Sequence, residues 1–159
     1  MATTTPLRGT ATALTFAAGD STLATSAYAV SSAVDTLTLG SGGIAADDAA
    51  VSLTFGIAAT AVANDIIKVW AISSFDNVTF SDAPADGSTD ATHDANMQLL
   101  DVLVVPSAAA QNLVMPAVAL AALFGGELPP YLKIVAFNGS GAALTSLAGT
   151  IQGINESIA

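Results

Sequence analysis

The chain of 159 residues contains no cysteine and only three basic residues, Arg8, Lys68 and Lys133. Without cysteine it can form no disulfide framework, thiol nucleophile or zinc–thiolate site, so the sequence leaves the redox compartment open. Binding to nucleic acid or to anionic lipid requires clustered positive charge, which three basic residues cannot supply. We therefore expect neither a nucleic-acid partner nor a membrane partner.

Charged residues of either sign are scarce, at 10% of the chain, and thirteen acidic residues leave a formal net charge of −10. The chain is nevertheless 52% hydrophobic, which argues against intrinsic disorder, and its length suits one domain. The longest stretch without a charge, residues 102–126, is interrupted by Pro106 and Pro116, which argues against a membrane-spanning helix. The N-terminus lacks the continuous apolar core of a signal peptide, so we expect a soluble protein made in the cytoplasm.

Alternation of apolar and polar residues with a period of two dominates the sequence and predicts half-buried strands. The clearest case is residues 51–57, where every odd position is apolar. Two further runs, 66–72 and 99–105, are apolar on both faces except at Lys68 and Asp101, which predicts central strands covered on two sides. The remaining predicted strands are short runs closed by turn residues: 14–16, 37–39, 132–137 and 145–154.

One segment departs from this pattern, because residues 117–124 are rich in alanine and leucine and are followed by Gly125 and Gly126. That composition predicts one or two helical turns ended by a glycine cap, with a small-residue strand as the alternative. About eight strands with at most this one helical turn predict an all-β fold, an antiparallel β-sandwich or jelly roll. We expect a flexible N-terminal arm over residues 1–12 and a single β-sandwich domain over 13–159.

Chemistry-bearing residues are few, and the most concentrated group lies around the single histidine, His93. Asp82, Asp86 and Asp90 recur every fourth residue in a stretch that also contains Pro84 and Gly87, which favours a loop over a helix. Oxygen-rich loops can bind Ca²⁺, so these three aspartates are candidate ligands. The EF-hand spacing is absent, and a solvated acidic loop is the more common structure.

No pattern in the sequence indicates catalysis or a cofactor. His93 has no Gly-x-Ser-x-Gly elbow to serve, and the glycine-rich segments 40–43 and 139–141 lack the Lys-Ser/Thr of a phosphate loop. Trp70 and Phe75 flank two serines, an arrangement that could form a ligand platform but more often places the tryptophan in a core. We therefore expect a protein that is not an enzyme and that has no catalytic residues.

Two blocks of the sequence each follow a recognisable motif. Residues 69–82, Val-Trp-Ala-Ile-Ser-Ser-Phe-Asp-Asn-Val-Thr-Phe-Ser-Asp, resemble a strand followed by Ser-x-Asp-Gly-x-x-Tyr/Phe-x-Asp. Residues 121–129 and 132–144 are similar to Ala-Ala-Phe-Gly-Gly-x-Leu-Pro followed by Trp-Gly-Ile-Val-Val-x-Asn-x-Ser-Gly-x-Ala-Leu. Asn77 stands where the turn glycine is usual, and residues 131–133 replace a common basic-Trp-Gly group. Together the two blocks resemble small structural proteins of tailed bacteriophages.

This resemblance implies a β-sandwich virion protein of the capsid decoration (cement) type, located on the capsid exterior and partnered by the major capsid protein. The scarcity of aromatic residues limits the core of a monomer, and small alanine-rich faces can pack closely, so we expect a homotrimer. Extended termini would then reach over neighbouring subunits, and deletion of residues 1–12 is expected to weaken capsid binding without unfolding the sandwich. The candidate contact residues are Thr4, Pro6, Leu7, Arg8 and Leu14.

The alternative is a tail, collar or fibre-associated virion protein that binds a receptor or glycan through the acidic loop at 82–94 or through Trp70. A small enzyme or a free carbohydrate-binding module would require turnover or saccharide affinity, and no sequence feature demands either.

Overall fold

A computed structural model describes residues 4–17, 22–80, 84, 87–89 and 97–158. The described chain forms two five-stranded antiparallel sheets. Sheet I has the order β1-β10-β5-β8, with β2 also paired to β10, and sheet II has the order β3-β9-β6-β7, with β4 also paired to β9. The strands are β1 (Thr4–Arg8), β2 (Thr12–Ala13), β3 (Tyr28–Val30), β4 (Val34–Asp35), β5 (Asp48–Ile57), β6 (Ile66–Ser74), β7 (Gln98–Val104), β8 (Gln111–Ala119), β9 (Tyr131–Gly139) and β10 (Leu144–Ile158).

The predicted all-β class is confirmed, and the two antiparallel sheets are consistent with a β-sandwich. The described chain has ten strands where about eight were expected. Predicted runs overlap β5, β6, β7, β9 and β10, whereas β1, β2, β3, β4 and β8 were not predicted. Within the described ranges, no helix has both the length and the apolar character needed to cross a membrane.

The main core lies between the sheets and is built from the alternating positions that the sequence marks. Val51, Leu53 and Phe55 of β5 are buried in the same cluster as Val69 of β6 and Ile134 of β9. Burying each large apolar side chain is worth about 1.5–3 kcal/mol, so this alternation is the principal determinant of the fold.

A second, smaller cluster covers the outer face of sheet II. It contains Tyr28, Trp70, Ile72, Met97 and Val135. The rings of Tyr28 and Trp70 have centroids 6.0 Å apart, and Trp70 is 2% exposed. β6 is therefore covered on both faces, as its sequence predicts, and the interpretation of Trp70 as a core residue is confirmed.

The prediction that residues 99–105 form a central strand is wrong, because β7 lies at the edge of sheet II. Leu99, Val102 and Val104 are 48%, 40% and 52% exposed, so their apolar character does not reflect burial. The edge is irregular, with a register shift opposite Val69 and Trp70. The Asp101 carboxylate accepts a hydrogen bond from the Val102 N–H at 2.8 Å, which blunts this edge against further strand pairing.

Two of the short predicted strands are also wrong. Residues 14–16 follow β2, and the Leu14 N–H still donates to the Gly149 carbonyl of sheet I. The chain then leaves this sheet, and the Thr15 carbonyl accepts a hydrogen bond from the Ser32 N–H, near sheet II. Residues 36–38 form a 3₁₀ turn, because the Asp35 carboxylate accepts from the Leu37 N–H and the Thr36 hydroxyl donates to the Pro129 carbonyl. In residues 36–38 the local hydrogen bond to Asp35 overrides the weak alternation, and in residues 14–16 backbone bonds to distant segments do so.

The segment 117–124 is part strand and part helical turn, the two structures that its composition allows. Strand β8 continues to Ala119, and a 3₁₀ turn follows over Ala121–Phe124, ended by Gly125 in the left-handed conformation at φ 82°. The carboxylate of Asp48 accepts hydrogen bonds from the Leu120 and Ala121 N–H groups at 3.1 and 2.8 Å. These bonds fix the point at which the strand becomes a turn.

The N-terminal segment, expected to be a flexible arm over residues 1–12, contributes two strands to sheet I. β1 pairs antiparallel with the end of β10, from Thr4 opposite Ile158 to Arg8 opposite Ile154, and β2 pairs with the same strand. The pairing of β10 with β5 ends at Ile154 opposite Asp48, so the β1–β10 pair continues past β5 as a two-stranded ribbon. Residues 4–8 and 12–13 therefore belong to the sandwich.

Candidate interaction surfaces

The candidate calcium ligands Asp82, Asp86 and Asp90 lie outside the described residues, as does His93. In the part of the chain that the structure describes, no three histidine, cysteine or acidic residues form a group that could hold a metal ion. The calcium site therefore stays a prediction from sequence.

The candidate contact residues of the N-terminus separate into exposed and buried positions. Thr4, Pro6, Leu7 and Arg8 all lie in β1 at the edge of sheet I, and Leu7 is 45% exposed. Leu14 is 8% exposed and belongs to the main core, where it packs over Gly149. In this structure Leu14 stabilises the sandwich, and the exposed part of the candidate surface is the β1 strand.

An open cleft of about 590 Å³ lies beside β1 and β2, between them and the segment 32–43. Its ionisable lining residues are Arg8 and Asp35, and the remaining lining is mostly threonine, serine, glycine and backbone. The Arg8 Nη1 atom donates to the Gln152 Oε1 atom at 3.4 Å. Such a cleft offers hydrogen bonds to a polar chain segment.

The floor of this cleft is held by close backbone packing and one buried amide. The Asn155 Oδ1 atom accepts from the Ser41 N–H at 3.0 Å, and its Nδ2 atom donates to the Ala45 carbonyl at 2.8 Å. A β-carbon at position 153 would lie 2.6 Å from the Leu39 carbonyl carbon, closer than real structures allow. Gly153 and Asn155 of β10 therefore determine where the loop 39–45 lies.

Residues 121–144 contain a buried polar network centred on Asn138, which is 0% exposed. Its Nδ2 group donates to the carbonyls of Leu23, Ala24 and Ala142 at 2.9, 3.1 and 2.8 Å. Its Oδ1 atom accepts from the N–H and the hydroxyl of Ser140 at 3.1 and 2.7 Å. The Asn-x-Ser-Gly element of this block thus ties the β9–β10 turn to the segment that precedes β3.

Residues 74–79 form a tight turn at the end of β6. The Asp76 Oδ1 atom accepts from the N–H groups of Thr79 and Val78 at 2.8 and 2.9 Å and from the Ser74 hydroxyl at 2.8 Å. The hydrogen bond from the Thr79 N–H has the largest effect, and together these bonds hold the pKa of the Asp76 carboxyl well below its ordinary value. Asn77, which replaces the usual glycine, adopts the left-handed conformation at φ 59° that the turn requires.

This turn exposes two large apolar side chains that sequence reasoning did not assign to a surface. Phe75 is 85% exposed and Val78 is 82% exposed. Phe75 and Trp70 flank the same two serines in the sequence, but Trp70 lies within β6, whereas Phe75 directly follows Ser74, the last residue of β6. The adjacent Asp-Asn pair, a strong turn signal, was the observation that could have separated them.

Most of the length of the three longest strands of sheet I, β10, β5 and β8, carries no charge. Residues 49–57, 111–119 and 144–155 contain no ionisable side chain. On the outer face of this sheet Thr54 of β5 lies opposite Val114 of β8, and Ser52 lies opposite Thr150 of β10. In a chain of net charge −10, this face is the one on which close approach of another acidic molecule meets least repulsion.

Comparison of the chain with models of protein families and with curated proteins gives no significant match.

Proposed function

We propose that this chain is a non-enzymatic structural protein of a tailed-bacteriophage virion that binds the outer surface of the capsid as a decoration, or cement, protein. Its partner in this proposal is the major capsid protein, and its location is the exterior of the virion after synthesis in the host cytoplasm. The chain would act by adhesion, which stabilises the shell against internal pressure and heat.

The observation that carries this proposal is the resemblance of residues 69–82 and 121–144 to small phage structural proteins, taken with the positions of those blocks in the fold. Asp76 holds the turn after β6, and Asn138 holds the turn after β9. Both motifs therefore act as determinants of the sandwich, as expected for a resemblance that reflects a shared scaffold.

The described surface suits contact with protein more than chemistry on a small molecule. Its most exposed large hydrophobic side chains are Phe75 and Val78, both on an ordered turn. The cleft beside β1 is lined mainly by hydroxyl and backbone groups. Aromatic residues such as phenylalanine are enriched in the cores of protein interfaces.

A homotrimer is part of the proposal, and the uncharged outer face of sheet I supports it. Residues 49–57, 111–119 and 144–155 could approach a second copy without bringing carboxylates together. A trimer would also present each capsid-binding element three times, which strengthens attachment through effective concentration.

The proposal is tested by adding the purified chain to capsid shells that lack it, taken from the phage that encodes it. We expect saturable binding in co-sedimentation and an increase of several degrees in the temperature at which the shells release DNA, since ligands of the intact state stabilise it. Bovine serum albumin, another acidic protein, serves as the control for nonspecific adhesion. Absence of saturable binding would contradict the proposal, and binding to tail structures alone would favour the receptor-binding alternative.

A further inference from the structure

The turn after β6 presents apolar surface that folding does not use. Phe75 and Val78, at 85% and 82%, are the most exposed of the large hydrophobic residues that the structure describes. Single exposed hydrophobic residues are common on protein surfaces. Here two such residues belong to one four-residue turn, residues 75–78, which we call the apolar tip.

The backbone of the tip is ordered before any partner arrives. Asp76 accepts hydrogen bonds from the N–H groups of Val78 and Thr79, and the Thr79 hydroxyl donates to its Oδ2 atom at 3.2 Å. The tip is anchored on one side by Ser74, which is 3% exposed. On the other side Phe80 packs in the outer cluster of sheet II beneath the Lys133 Nζ atom. Binding through a preordered turn loses little conformational entropy.

The charge of the tip indicates what kind of surface it fits. The Asp76 carboxylate lies between the two apolar side chains and already accepts four hydrogen bonds from its own turn, so a partner can cover it at reduced desolvation cost. A second copy that met this tip with its own tip would bring another Asp76 carboxylate of a chain of net charge −10 to the same place. Like charges at contact are unfavourable, so the surface that complements the tip is neutral or basic.

We propose that residues 75–78 insert into a hydrophobic pocket with a basic rim on the capsid shell protein. This inference rests on the proposed function and identifies the contact by which the chain holds the shell. One phenylalanine and one valine form a small anchor, so a single contact is weak and attachment depends on several copies acting together.

The test is the shell-binding assay with the double variant Phe75→Ser/Val78→Ser. We expect its affinity for shells to fall by about tenfold or more, as on removal of an interface anchor. The matched control is Val62→Ser/Val104→Ser, which removes two valines that are 50% and 52% exposed and do not belong to the tip. The control is expected to bind as the unmodified chain does, and circular dichroism should show both variants folded.

Each outcome of this assay bears on a different claim. If the unmodified chain binds shells and the Phe75→Ser/Val78→Ser variant binds equally well, the tip contact is wrong and the proposed function stands. If the unmodified chain fails to bind, the proposed function falls and this inference falls with it. If sedimentation equilibrium without shells shows that the double variant alone has lost self-association, the tip contacts a second copy, which overturns the inference.

The basic rim is tested separately with Asp76→Asn, since an amide oxygen can still accept from the Val78 and Thr79 N–H groups. We expect shell binding by the unmodified chain to weaken as ionic strength rises and to do so less steeply in the variant. An identical salt dependence in both proteins would contradict a basic rim.

Discussion

Replacement of Asn138 by alanine is expected to lower the free energy of unfolding by about 3 kcal/mol or more, because it leaves several buried polar groups without partners. The lost amide donates to the carbonyls of Leu23, Ala24 and Ala142 and accepts two hydrogen bonds from Ser140. Urea denaturation followed by intrinsic fluorescence of Trp70 measures the change.

Two further variants make this prediction specific to the network. Asn112→Ala removes an exposed asparagine from β8 and is expected to change stability by less than about 0.5 kcal/mol. Asn138→Asp keeps the size of the side chain but directs an oxygen at three carbonyls, so its destabilisation should grow as the pH rises and the acid ionises. If Asn138→Ala costs no more than Asn112→Ala, the network does not hold the turn.

Replacement of Gly153 by alanine is expected to destabilise the protein by about 1–3 kcal/mol and to displace the loop 39–45. A β-carbon there would lie 2.6 Å from the Leu39 carbonyl carbon and 3.0 Å from the Gly40 nitrogen. Backbone atoms cannot rotate aside as a flexible side chain can, so the loop must move away from β10. Thermal denaturation measures the stability, and hydrogen exchange of the Gly40 and Ser41 N–H groups, which donate to the Ile44 carbonyl and the Asn155 Oδ1 atom, measures the displacement.

The control for this prediction is Thr150→Ala on the same strand, where the side chain is exposed and the expected change is below about 1 kcal/mol. If Gly153→Ala leaves both stability and exchange at Ser41 unchanged, then the close approach of β10 to the loop does not position the cleft.

The sequence predicts the central strands well, because burial of a strand requires apolar residues at regular positions in its sequence. Residues 51–57 alternate strictly, and β5 covers them with its odd positions in the core. Residues 66–72 are apolar on both faces because β6 lies between the main core and the outer cluster that contains Trp70. The close approach of Gly153 to the backbone of Leu39 and Gly40 has no such periodic signal in the sequence.

Edges and termini are predicted less well, since their structure depends on partners far away in the chain. Nothing in residues 4–8 shows alternation, and they form β1 only because they pair with the opposite end of the chain, residues 154–158. Apolar residues of β7 are exposed at an edge, where hydrophobicity does not report burial. Phe75 illustrates the same limit, because composition alone does not reveal whether an aromatic residue points inward.

The pairing of β1 also changes what a deletion of residues 1–12 can show. Such a deletion removes the strand that covers the edge of β10 and the Gly9 N–H that donates to the Gly153 carbonyl at 2.9 Å. If the deletion abolished capsid binding, the cause could be either a missing contact or a damaged sheet. Point substitutions at Leu7 and Arg8, both exposed on β1, separate the two effects.

The most direct test of the capsid-decoration account is the number of copies of this chain per virion, measured relative to the major capsid protein by quantitative mass spectrometry of purified particles. The account predicts hundreds of copies, in a simple ratio to the capsid subunits, as symmetric occupation of a shell requires. Between about three and a few dozen copies would place the chain at the tail or at a unique vertex, where closed rings of few subunits occur. Either that result or the absence of the chain from virions would contradict the account.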